Sequence, residues 1–263
     1  MKYSRLKISP GRSVLLIVST CFGLLQAANS ETLVESSMEA RFQLDVQAPQ
    51  AALLSFIPDG WTTNVRTSGA AKDANLRVIF IERMTINGPE GDPVGDGTNL
   101  LVYLTVPVTN PPGENVQLVI GGITADPTDA PGPFGVYLPA TTHTLQRTTT
   151  SGSGPIIETQ DWVFEAATGE HFRMNITFER GLRNSRPARD TQFYSAKDPG
   201  FYQISRQRQM LDILRNVTTN PADRVREFSF EGGGGVYADL FDGTEKLLSW
   251  DNIVWLDRDV LLP

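Results

Sequence analysis

The stretch EGGGGVYADLFDGTEKLL, residues 231–248, decides how this chain is read. A phosphate-cradling loop needs spaced glycines, then Lys and Ser or Thr at the head of a helix. Here glycines 232–235 run into Val236-Tyr237-Ala238. The later Gly243-Thr244-Glu245-Lys246 has no spaced glycines before it. The run therefore reads as a bulge or tight connection leaving a strand at 225–231, and a nucleotide enzyme is set aside.

Outward from that point, the chain is dominated by strand signals. Residues 76–86, 99–108, 115–125, 142–148, 156–166 and 170–180 are rich in β-branched and aromatic side chains. Gly, Pro, Asn and Asp clusters bound them. Phe172, Met174, Ile176 and Phe178 alternate with polar residues, the period of a half-buried strand. Ala167-Thr168-Gly169 predicts a tight hairpin before them. Residues 252–262 predict a closing strand. Residues 31–39 read as an exposed lead-in and 180–200 as a polar loop. Two helices are expected. One follows Pro49, with Ala52, Leu53, Phe56 and Ile57 on one face. The other spans about 202–217, on the stripe Ile204, Met210, Leu211, Leu214 and Val217. The fold class is α+β but mainly β, with a barrel or sandwich expected.

Residues 1–30 have the layout of a secretory signal peptide. Lys2, Arg5, Lys7 and Arg12 precede an apolar run of about a dozen residues, too short for a comfortable membrane span. Small residues follow at Ala27, Ala28 and Ser30. An exported protein is expected, with residues 31–263 as a single domain and no stable span after cleavage. Cys21 is the only cysteine, so no intrachain disulfide can form. The formal charge is −7, more negative still without the four leading cations, which argues against nucleic acid. No cofactor motif is evident. The two histidines, His143 and His171, lie on different predicted strands, so no metal site is expected. No Gly-x-Ser-x-Gly elbow supports serine hydrolysis.

Three pieces together resemble the acetoacetate decarboxylase family. They are QAALLSFIPDGWTTN (50–64), the order of strands after it, and ADLFDGTEKLL followed by NIVWLDRDVLLP. The similarity spans roughly residues 40 to 263. It implies a closed or partly closed antiparallel β-barrel of that type, with a few helices and an apolar interior pocket. It also implies lyase chemistry in which a buried lysine forms a Schiff base with a β-keto acid. The corresponding stretch here is DAPGPFGVYLPATTHTL (129–145), with Ala140 at the lysine's place. Beyond residue 30 the only lysines are Lys72, Lys197 and Lys246, all in polar or turn-like contexts.

The resemblance thus leaves a pocket without the standard nucleophile, and a small apolar or carboxylated molecule is the expected occupant. Candidate ligand contacts are Glu82 and Arg83, adjacent in an apolar strand, and Tyr137, His143 and Arg147 beside the altered motif. Successive strand residues point to opposite faces, so only one of Glu82 and Arg83 is expected inside. Two rivals follow: a divergent lyase or hydratase using an acid–base pair such as Glu82 with His143, and an unrelated lipocalin-like binding barrel. Long strands would suit a homo-oligomer.

Overall fold

A computed structural model of the chain describes residues 31–126, 134–217 and 222–263. The expected signal peptide and the start of the 129–145 segment lie outside them. In chain order the elements begin with β1 (Thr32–Gln47), α1 (Gln50–Leu54), β2 (Thr62–Thr63), β3 (Leu76–Asn87), β4 (Asn99–Thr109) and β5 (Asn115–Thr124). They continue with β6 (Tyr137–Thr150), β7 (Ile157–Ala166), β8 (His171–Glu179), β9 (Asn184–Ser195) and β10 (Tyr202–Asn216). The last are β11 (Ala222–Asp223), β12 (Val225–Gly233), a 3₁₀ turn (Gly235–Tyr237) and β13 (Lys246–Leu262).

The pairing closes on itself. β1 pairs with β3, β3 with β4, β4 with β5, β5 with β9, β9 with β10, β10 with β13, and β13 with β1. This is a mainly β ring. All its pairings are antiparallel except β5–β9, a short parallel contact of residues 117–119 with 193–195. β5 forks the sheet. Its far end, residues 122–124, pairs in parallel with the start of β6. From there β6, β7, β8 and β12 continue as an antiparallel layer.

Alternation sorts the two faces of each strand. Phe42 and Leu44 of β1, Val78 and Phe80 of β3 and Val102 and Leu104 of β4 share one core with Trp162, Phe164, Phe172, Ile176 and Phe178 of the second layer. Phe80 lies 5.7 Å from Trp162 and 6.1 Å from Phe164 between ring centroids. Each fully buried side chain of this size is worth about 1.5–3 kcal/mol, so this inter-layer core holds the second layer against the ring.

The glycine run makes the connection expected of it. It follows β12 across the tip of the β7–β8 hairpin. At Gly234, with φ 73°, a Cβ would stand 2.2 Å from the Gly169 carbonyl oxygen. Only glycine allows that approach together with a left-handed backbone. The chain then drops Tyr237 into the fork, where the Gly122 amide donates to its hydroxyl at 2.8 Å.

Three expectations are corrected. Residues 202–217 are not a helix but the strand β10. Its apolar stripe arises from register shifts at Met210/Leu211 and Ile213/Arg215, which put Leu211 and Asp212 side by side in buried positions. The expected loop 180–200 contains β9, and the expected lead-in 31–39 belongs to β1. β1 and β10 bury polar side chains, Ser37, Glu39, Gln203, Ser205 and Asp212, and β9 is exposed over residues 184–190, so none of the three shows the apolar alternation of a half-buried strand.

Candidate ligand-binding site

The inward face of the ring is part apolar, with Ile79, Ile81, Leu101, Tyr103 and Val119 clustered on it, and part charged, so the wholly apolar interior implied by the resemblance is corrected. β1 sets the pattern: Phe42 and Leu44 point to the inter-layer core, while Glu39, Arg41, Gln43 and Asp45 alternate with them and are buried. Two groups of charges result.

The first is a compact ion network. Glu39 lies 2.6 Å from Arg41 and 3.1 Å from Arg258, and Glu35 lies 2.7 Å from Arg258. Arg83 pairs with Glu35 and reaches Glu39 at 3.5 Å. Burial works against the charge of Glu39, but Arg258, Arg41 and Arg83 outweigh it and hold its pKa at about 2. Tyr103 and Phe134 pack nearby with Tyr137 and Phe193 at the margin. Burial, then Tyr103, raises the Tyr137 hydroxyl well above its ordinary pKa. Three guanidiniums and two carboxylates interlock here, each charge with an opposite neighbour, the arrangement of a structural cluster.

The second group lines open space. A cavity of about 50 Å³ is walled by residues from β1, β3, β4, β5, β9 and β10, Arg41, Arg77 and Arg189 among them. It shares Gln43, Arg66, Arg77, Arg189 and Gln209 with an adjoining chamber of about 400 Å³. That chamber adds Asp45, Asp251 and Arg186, and is bounded by residues 68–71. Arg77 donates from Nε to Asp45 Oδ1 at 2.7 Å. Burial opposes its charge, yet Asp45 leaves its pKa raised. The pKa of Arg66 is lowered by Arg77 first and by burial second. The pKa of Arg189 is lowered by burial, then by Arg77 and Arg186. These guanidiniums repel one another, and an anion between them would relieve that repulsion.

The residues singled out from sequence divide between the two faces. Arg83 is 1% exposed and belongs to the interior network. Tyr137 packs at its aromatic margin. Glu82 turns outward and accepts from Arg147 at 2.7 Å, tying β3 to β6. His143 and Glu82 line an open groove of about 520 Å³ on the outer side. Ala140 packs against the inter-layer core and pairs with Ala166 in the β6–β7 register. Lys72, Lys197 and Lys246 are exposed, and none lines either interior cavity. Sequence reasoning missed Arg66, Arg77, Arg186, Arg189, Asp45 and Asp251. The available signal is the alternation Arg41-Phe42-Gln43-Leu44-Asp45, with a polar or charged side chain on every second residue. Among the described residues no helix is long and apolar enough to cross a membrane.

A ring of this topology with a second layer grafted at one strand defines the acetoacetate-decarboxylase-like fold, and comparison with solved structures gives the same result. The chain is similar to an acetoacetate decarboxylase-like enzyme from Sphingomonas wittichii RW1, with TM-score 0.51 and 11% identity over 91% of this chain and 96% of that one. It is also similar to the enduracididine biosynthesis enzyme MppR, complexed with the condensation product of pyruvate and imidazole 4-carboxaldehyde, with TM-score 0.50 and 9% identity over 87% of each chain. No family model and no curated protein matches the chain.

Proposed function

We propose that this is an exported protein of the acetoacetate-decarboxylase-like fold that binds a small carboxylated molecule inside its ring without forming a Schiff base. The observation that carries the reading is the convergence of Arg66, Arg77 and Arg189 on connected interior cavities that no lysine lines. Arg66 and Arg189 favour the carboxylated over the apolar ligand, because an apolar ligand would leave their mutual repulsion with Arg77 unrelieved. The complex of MppR with a pyruvate-derived product supports a ligand of this size in a protein of this fold. Export rests on the leading segment, and self-assembly on the long strands.

Calorimetric titration with pyruvate and with its uncharged analogue acetone tests the reading. Pyruvate is expected to bind, more weakly as salt rises, and acetone not to bind. Arg189→Ala should weaken pyruvate binding by about tenfold or more, since a hydrogen bond to a charged group is worth about 1.5–3 kcal/mol. Borohydride trapping with pyruvate should leave the intact mass unchanged. A covalent adduct, or equal binding of acetone, would overturn the reading.

A further inference from the structure

Within the arginine-lined chamber, two carboxylates sit where anion binding alone has no use for them. Asp45 on β1 and Asp251 on β13 both line it and are both buried, at 2% and 7% exposure. Negative charge there weakens an anion site unless it does other work.

Their surroundings differ. Asp45 is fixed by Arg77, both of whose contacting nitrogens lie 2.7 Å from Oδ1. Its Oδ2 is buried with no hydrogen-bond partner among the described residues. A proton held between the two carboxyls, or a donor on the ligand, would satisfy that oxygen. Asp251 accepts only from Ser249 Oγ, at 3.0 Å, among the described bonds. The charges facing Asp251 are Asp45 on β1, Arg77 on β3, Arg66 before β3, and Arg186 and Arg189 on β9; its β10 neighbours in the chamber, Gln209, Leu211 and Ile213, are uncharged.

We propose that Asp251 is a proton-transfer base acting on a small carboxylate that bears a C–H beside a carbonyl, with Asp45 positioning it. This deepens the function proposed above and rests on it. In the step, an Asp251 carboxylate oxygen takes the proton from that carbon. The C–H electron pair forms the C=C bond of an enolate, and the carbonyl π pair moves onto oxygen, where the guanidiniums face the new charge. Return of a proton from Asp251 to the same carbon restores the ligand, so the cycle consumes no oxidant or co-reactant. Burial, and then the charge of Asp45, push the Asp251 carboxyl up to about 7, against the pull of Arg77. A base poised there is matched to proton transfer at neutral pH.

The experiment is exchange of the pyruvate methyl protons in D₂O, followed by ¹H NMR with the purified full chain. Binding is read separately by saturation transfer. The wild type should exchange the methyl protons faster than buffer, with a rate that rises with pH through about 7 as the base form appears. Asp251→Asn should lose exchange by about a hundredfold yet still bind pyruvate. Arg189→Ala should lose binding and exchange together. Asp257→Asn, on the same strand but outside the chamber and paired with Arg208 at 2.8 Å, should change neither. Binding without exchange in the wild type, a flat pH profile, or unchanged exchange in Asp251→Asn would overturn the assignment of the base. Absence of pyruvate binding in the wild type would overturn the ligand-site reading, and the base with it.

Discussion

Glu39 and Asp251 are carboxyls buried inside one ring, and their couplings to pH have opposite sign. The pKa of Glu39 falls from 4.5 to about 2 in the folded protein. Its contribution to stability is therefore present above about pH 4.5 and is lost as pH falls toward 2. The pKa of Asp251 rises from 3.8 to about 7. Its contribution is fully present below about pH 4 and is lost as pH rises through 7. Each effect is on the order of a few kcal/mol at about 1.4 kcal/mol per pKa unit. Asp251→Asn mimics the protonated form at every pH. Urea unfolding should find this variant close to wild type at pH 4 and clearly more stable at pH 8. Equal stability of the two proteins at both pH values would mean that Asp251 ionises freely. A residue whose replacement stabilises the fold while removing an activity is one that the fold bears for its function.

At the scale of elements, the 3₁₀ turn after β12 ties the second layer to the ring. Tyr237 is buried in the fork of β5, stacked on Phe56 and tilted against Phe172, with its hydroxyl accepting from the Gly122 amide. A Cβ on the neighbouring Gly121 would stand 2.2 Å from that hydroxyl, so the glycine is what admits the ring. Tyr237→Phe keeps the packing but leaves the Gly122 amide without its partner. Thermal or urea unfolding should show a loss of about 1–3 kcal/mol. A cost near zero would mean that the amide finds water.

The same scale explains what the sequence discloses. The strands facing the inter-layer core, β3, β4, β5, β7 and β8, are legible because Phe172, Met174, Ile176 and Phe178, for example, repeat at the strand period. The strands read wrongly, the first half of β1, all of β9 and most of β10, turn Ser37, Glu39, Arg189, Gln207 and Gln209 toward the ring interior. Polar residues on the inward face remove the usual contrast, and a pattern search built on apolar alternation misses them. The walls of the site were hidden by the same charges that make it a site. The closing segment 240–248 was legible in another way, through a family-like stretch whose role here is structural: Leu240 and Phe241 are buried in the inter-layer core.

At the scale of the whole molecule, the ring depends on β13, which is bonded to β1 on one edge and β10 on the other. It also carries Asp251 and Arg258, one from each charged group. A chain ending before Lys246 would leave Glu39 without Arg258 and open the interior to water. Such a truncation should show no cooperative unfolding transition and no pyruvate binding. A sharp transition would mean that the second layer and the remaining strands form a domain by themselves.

The register of β1 on β13 sets Thr32 opposite Leu262, so the described chain begins and finishes at one place. On the ribosome, β1 must therefore wait until residues 246–262 have been translated. Until then its arginines and acids have no enclosure, and no partly synthesised chain can hold a working pocket. Competence appears all at once, when β13 joins.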